Sequence, residues 1–337
     1  MRRGVTPVRL LVGGIALVGI AFVLLMTTHS NAFLLVPDPA HPLANLVRVP
    51  GAMPDHDGGG IYYVDVIERK ASLLERLFPG LRSGSTLVQH DQVAPPGVTD
   101  RQRIQAERLD MRLSQEIASA VALRALGYKV AIRQGGVRVA LVYRDTNAYG
   151  RLKPGDVIVS ADGKAVHSTV KLHDILSRHR VGDVVAVGFL RGGKRKDVRI
   201  ATTRDPLDRR RAILGIGPQP ALDVQVPFKI KFDLANVGGP SAGLALALQI
   251  LEERGRDVDR GYKVAATGEI APDGSVGAIG GVKQKTLGSR RAHVDVLLVP
   301  AGENYREARK YAHDLRVMPV QSFQQALRAL ATLPRKR

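Results

Sequence analysis

Between Leu10 and Met26 the chain runs LLVGGIALVGIAFVLLM without a charged residue, and the charge-free stretch extends to Asp38. Such a run approaches the roughly 20 residues with which a helix crosses the hydrocarbon layer, and it predicts a single membrane-spanning helix within residues 1–36. Arg2, Arg3 and Arg9 on its N-terminal side place the N-terminus in the cytoplasm and the remainder of the chain beyond the cell membrane. A cleaved signal peptide is the rival reading, since Ser30-Asn31-Ala32 offers small side chains for cleavage after Ala32. The apolar run is longer than the usual signal-peptide core of roughly 7 to 15 residues, which favours the uncleaved anchor. Residues 37–60 are rich in Pro, Gly, Asp and His, have no period, and read as a spacer.

Regular patterning starts with GIYYVDVIER, which alternates as a half-buried strand does. Residues 108–127, RLDMRLSQEIASAVALRALG, carry apolar side chains at Met111, Ile117, Val121 and Leu123 to Leu126 and end in a glycine. That pattern predicts an amphipathic helix with its C-terminal Gly127. From Tyr128 to Thr203 the texture changes to short strands and tight turns, with a hairpin turning at Gly192-Gly193 and one short helix, TVKLHDILSRH. After Arg211 longer elements return. A strand DVQVPFKIKFDL, a helix after Ser241, a strand YKVAATGEI, a turn at Pro272-Asp273-Gly274, a strand VDVLLVP and helices from Glu303 and Ser322 make an α/β set.

Within the middle region, GRLKPGDVIVSADGKAV places Gly155, Asp156, Ile158, Gly163 and Val166 in the spacing L-x-x-G-D-x-I-x-x-x-D/N-G-x-x-V. By that motif residues 127–203 resemble a PDZ domain, a small and mostly β module. The resemblance implies a groove between a strand and a helix, where an extended peptide adds as a further strand and its carboxylate meets backbone N–H groups. The carboxylate loop would fall at Leu126-Gly127-Tyr128, so Gly127 and Tyr128 are the peptide-binding candidates. The competing reading of the same residues is a plain helix stop.

Fifty Lys and Arg against thirty-one Asp and Glu give a formal charge of +19, spread along the chain, which favours anionic partners such as a phospholipid surface. Phe, Tyr and Trp make up only 4% and Trp is absent, so a nucleic-acid reader built on stacked aromatics is not expected. Zero cysteines exclude thiol catalysis and thiolate metal sites. The nine histidines form no H-E-x-x-H run, and no G-x-x-x-x-G-K-[ST] occurs, so neither a metal, a cofactor nor ATP hydrolysis is expected.

The stretch NVGGPSAGLALALQI (236–250) holds one serine between a Gly-Gly-Pro turn and a helix-like run. Ser241 is either a helix cap or a nucleophile at the helix's positive end. A nucleophilic serine needs a base. GPSAG fits the nucleophile elbow of the α/β-hydrolases, but VGGP breaks the strand that should lead into it, and His293 has no evident Asp partner. A lysine serves as base if burial lowers its pKa from ~10.4. Lys283 and Lys285 are the candidates, and because they project from different faces of one helix only one can face Ser241.

GPSAGLALAL, ATGEI and GAIGGVKQK, in this order and spacing, resemble the signatures of the proteolytic domain of the Lon proteases, which are serine-lysine peptidases. The resemblance implies Ser241 as nucleophile, Lys285 as base and Thr267 as a hydroxyl that holds the lysine. Gly238 departs from it, since Lon proteases usually carry an acidic residue there. Backbone N–H groups of Gly239, Ser241 and Ala242 are expected to form the oxyanion hole, aided by the helix dipole. GIYYVDVIERKASLLERL and the 108–127 helix more faintly resemble the opening of the same domain.

The expected fold is thus an α/β (α+β) Lon-type proteolytic domain in two parts, 61–126 and 204–337, with the PDZ domain inserted and a transmembrane helix in front. The expected function is an ATP-independent, membrane-anchored serine endopeptidase whose PDZ domain recruits protein or peptide substrates, membrane proteins among them. The resemblance also implies ring-shaped homo-oligomers, often hexamers. A membrane-tethered PDZ adaptor on an inactive Lon-like fold is the alternative, supported by Gly238.

Overall fold

The computed structural model describes residues 7–53, 58–93, 98–206, 208–234 and 237–336. Arg2 and Arg3, on which the expected orientation rested, lie outside them. The apolar N-terminal run forms the helix Pro7–Thr27. Among the described residues, however, no helix is long and apolar enough to cross a membrane. The expected single-pass anchor and membrane location are therefore corrected.

The chain after this helix is part of the fold. The strand His29–Pro37 sits centrally between Val66–Ser72 and Thr86–Val88, with Ala32 and Leu34 buried. The segment read as a spacer also contributes structure. His41–Pro42 pairs with Gly60–Tyr63, Val47–Arg48 pairs with Lys231–Phe232, and Leu43 and Val47 are buried in the main core.

The main sheet runs in the order His41–Pro42, Gly60–Tyr63, Lys263–Ala266, Val296–Pro300, Arg316–Val320, and all its pairs but the first are parallel. Side chains of successive strand residues point to opposite faces, so a sheet covered on both sides needs apolar residues throughout. Val264 and Ala266 accordingly face one core, and Ala265 faces the other. The first core is filled by the helix Gly243–Glu253, buried at every residue, which packs on the long helix Asp100–Ala125. Thr99 starts that long helix with a capping box, accepting from the Gln102 N–H while the Gln102 side chain accepts from its own. The second core takes Val282 of the helix Val282–Arg291 and Ala308 of the helix Glu303–Tyr311.

The PDZ-like region builds its own sheet, in the order Lys194–Ala201, Val184–Arg191, Val157–Ala161, Ala131–Val142, Ile216–Gln225, over the helix Thr169–Leu176. The Gly-Asp of its motif has a physical reason. Asp156 is buried, accepts from Arg191 Nε and Nη2 at 2.8 and 2.7 Å, and takes the Lys153 N–H. Ile216–Gln225 pairs along the whole of Ala131–Val142, and Leu214 and Ile216 belong to this smaller core. The strand expected over 223–234 is broken in two at Pro227, which has no N–H for a ladder.

Candidate active site

Three elements from separate parts of the sequence converge at Ser241. The Gly-Gly-Pro turn is fastened to the long helix, because Gly239 N–H donates to the Glu107 carbonyl at 2.9 Å and Ser114 Oγ donates to the Pro240 carbonyl at 3.0 Å. Gly239 holds φ at +79°, the left-handed region that other residues seldom enter. The helix then starts at Gly243 with no side-chain cap, so Ser241 is not spent on capping.

The Ser241 hydroxyl instead accepts from Lys285 Nζ at 2.8 Å. Lys285 also donates to Thr267 Oγ1 at 3.2 Å, and that hydroxyl donates to the Ser241 carbonyl at 3.2 Å. Gly268 N–H donates to the same carbonyl at 2.8 Å, so the strand end at 267–268 holds the serine backbone and the lysine together. Burial pushes the Lys285 ammonium down to about 8, and the Asp65 carboxylate pulls in the opposite direction. At pH 7 about a tenth of this lysine is therefore neutral, a share that rises steeply as the pH approaches 8.

Lys283, two residues earlier, faces elsewhere. Its Nζ donates to the Ser85 carbonyl at 3.2 Å and lies over the Tyr311 ring. His293 sits at the far end of the lysine helix, its N–H on the Arg290 carbonyl, and takes no part in the site.

Two expectations are corrected. Gly239 cannot serve the oxyanion hole in this arrangement, because its N–H is already committed to Glu107. Ser241 and Ala242 N–H groups donate to nothing among the described residues and remain the free donors beside the hydroxyl. Gly127 and Tyr128 do not form a carboxylate loop, since their N–H groups donate to the Arg124 and Leu123 carbonyls and close the long helix. The Tyr128 hydroxyl accepts from Arg254 at 2.8 Å and its ring meets Phe228 edge-on, which joins the smaller sheet to the catalytic part.

At Gly238 the space that a side chain would take is filled by Glu107. A Cβ there would lie 2.9 Å from Glu107 Cβ and 3.2 Å from its Oε2. The sequence reading missed Glu107, and also Asp65, whose carboxylate acts on Lys285 by its charge, and Asp38, whose backbone carbonyl packs on the lysine helix at Gly288. Asp65 was visible only as one carboxylate in an otherwise apolar strand.

Comparison with known proteins agrees with both modules. Residues 124–202 match the PDZ domain model, and residues 234–332 match that of the Lon protease (S16) C-terminal proteolytic domain. The chain is 33% identical over 131 residues to a Lon protease of Chloroflexus aggregans, covering 37% of this chain and 16% of that protein. It is 41% identical over 68 residues to the serine protease Do-like HtrA of Lactobacillus helveticus, covering 20% of this chain and 16% of that protein. A solved PDZ domain, that of the SdrC-like protein from Listeria monocytogenes, aligns at 30% identity over 25% of this chain and 87% of its own, with a TM-score of 0.23. The chain thus spans only a small part of the length of these curated relatives. It carries a match to the proteolytic domain of a family of serine peptidases, over residues 234–332. With that domain it carries a PDZ domain.

Proposed function

We propose that this protein is a serine endopeptidase that cleaves protein substrates without ATP, using Ser241 and Lys285 as a dyad. The observation that carries the reading is the 2.8 Å contact from Lys285 Nζ to Ser241 Oγ, made by a lysine that is buried. Neutral Lys285 takes the serine proton as Oγ attacks a peptide carbonyl, and the resulting ammonium gives that proton to the leaving amine. Water then attacks the acyl-serine and the same lysine serves as base again. The Ser241 and Ala242 N–H groups stabilise the oxyanion, and Thr267 keeps the lysine on the serine.

A cleft of about 320 Å³, lined by Arg108, Met111, Arg112, Gln115, Phe232 and Leu234, lies between the long helix and the segment leading to the nucleophile, and suits an extended substrate. The PDZ domain recruits a second stretch of substrate. Residues 131–136 of its first strand have a ladder partner on one side only, which leaves an edge for an added strand.

The test is hydrolysis of a fluorescein-labelled unfolded protein by the full chain in the absence of nucleotide. Activity is expected in the wild type and lost in Ser241→Ala with an unchanged circular dichroism spectrum. Equal activity in Ser241→Ala would overturn the proposal, and inactivity of the wild type with retained peptide binding would favour the adaptor.

A further inference from the structure

A second group of titratable side chains lies near Lys285, close enough for one of them, Asp65, to act on it by its charge. In the antiparallel pair His29–Pro37 and Val66–Ser72, Pro37 lies opposite Val66, so the next residues along, Asp38 and Asp65, face each other where the ladder ends. Like charges placed opposite on adjacent strands repel and need compensation. One oxygen of each carboxyl and a ring nitrogen of His41 all lie within 4.8 Å of one another, and His41 Nε2 is 2.9 Å from Asp38 Oδ2. Among the described residues, Asp65 Oδ1 is shielded from solvent and has no hydrogen-bond partner.

The pair is pressed onto one face of the lysine helix. A Cβ on Gly281 would lie 2.8 Å from Val66 Cγ2, and one on Gly288 would lie 1.9 Å from the Asp38 carbonyl oxygen. Residues 281, 285 and 288 are spaced four and three apart, so they share a face, and Lys285 stands between the two contacts. The other ionisable groups at this place are Tyr63, stacked on His41 and pushed up to about 12 by burial and then by the two carboxylates, and Arg291, which donates to the Pro37 carbonyl. Burial, and then the neighbouring Asp38, push the Asp65 carboxyl up as well, while His41 works against this.

We propose that Asp65 is a positioning residue for the dyad: it shares a proton with Asp38, and so presents Lys285 with a limited negative charge. This rests on the serine-lysine reading. A fully ionised Asp65 would keep the lysine charged and idle, since an adjacent anion favours the ammonium. No charge at all would leave the ammonium formed during acylation without a counter-ion in a buried place. The shared proton lies between these limits, and Asp38 sets it from the segment that precedes the main sheet.

The experiment is the pH dependence of kcat/KM on the labelled unfolded protein for the full-length wild type, Asp65→Asn and Asp38→Asn. Activity of each should rise with pH as the lysine loses its proton. Asp65→Asn removes the charge that holds the ammonium, so its rise should move to lower pH, with a plateau about tenfold down. Asp38→Asn lets Asp65 ionise fully, so its rise should move to higher pH. Shifts of opposite sign support the proposal. Shifts of the same sign, or lower activity with an unmoved rise, overturn it, because a merely structural pair would give those results. If Asp65→Asn fails to fold, the direction of the Asp38→Asn shift alone decides. Should Ser241→Ala and Lys285→Arg stay active in the same assay, the dyad itself is wrong; should they be dead while the Asn variants do not diverge, only the role of Asp65 falls.

Discussion

Lys285→Arg should lower kcat on an unfolded protein substrate by about 10²- to 10⁴-fold, the usual worth of a general base, while the protein stays folded. Arginine keeps the positive charge and the donors but cannot give up its proton near neutral pH, so it cannot activate Ser241. Lys283→Arg is the matched control. Its ammonium serves the Ser85 carbonyl and the Thr86 hydroxyl, which a guanidinium also reaches, and activity near the wild-type level is expected. Wild-type activity should climb with pH through about 8, where the buried lysine becomes neutral, rather than near the value of a free lysine. A dead Lys283→Arg beside an active Lys285→Arg would reverse the assignment.

Gly288→Ala should strongly destabilise the protein, against the general trend. Replacing glycine by alanine inside a helix usually adds up to about 1 kcal/mol. At Gly288 the new Cβ would sit 1.9 Å from the Asp38 carbonyl oxygen and 3.0 Å from its carbon, both backbone atoms that cannot turn aside. The helix and the end of the His29–Pro37 strand must then separate, and overpacking of this kind costs about 1 to 3 kcal/mol or more. A fall in Tm of several degrees is expected, together with lost activity, because Lys285 is one turn away. Gly280→Ala, where no atom lies within 4 Å of the added carbon, should be nearly silent in both measurements. Equal melting of the two variants would show that the helix does not rest on Asp38.

Ser241, Lys285 and Thr267, whose side chains meet in the fold, were legible as candidates because each lies in a short motif whose local structure follows from its own residues. Three such motifs in order carry far more information than one serine after a glycine turn. The corrections fall where a group's partner is remote in sequence. Gly239 looked like an oxyanion donor until the Glu107 carbonyl, from a helix more than a hundred residues upstream, took its N–H. Gly127 and Tyr128 closed a helix instead of forming a loop, since three-residue patterns at a helix end fit both outcomes. Asp38 sits in a stretch that has no period of its own, and only its packing on Gly288 gives it a place beside the lysine. The last strand of the smaller sheet was equally hidden, because the pairing of 131–142 with 216–225 joins segments far apart in sequence.

The central claim is that Lys285 activates Ser241, and covalent labelling of the full chain by an aryl phosphonate, located by mass spectrometry, tests it most directly. The account predicts a single modified residue, Ser241, labelled at a rate that rises with pH through about 8 in the wild type and in Lys283→Arg, and negligible labelling in Lys285→Arg. Labelling of Ser241 at an undiminished rate in Lys285→Arg, or modification of some other residue in its place, would contradict it.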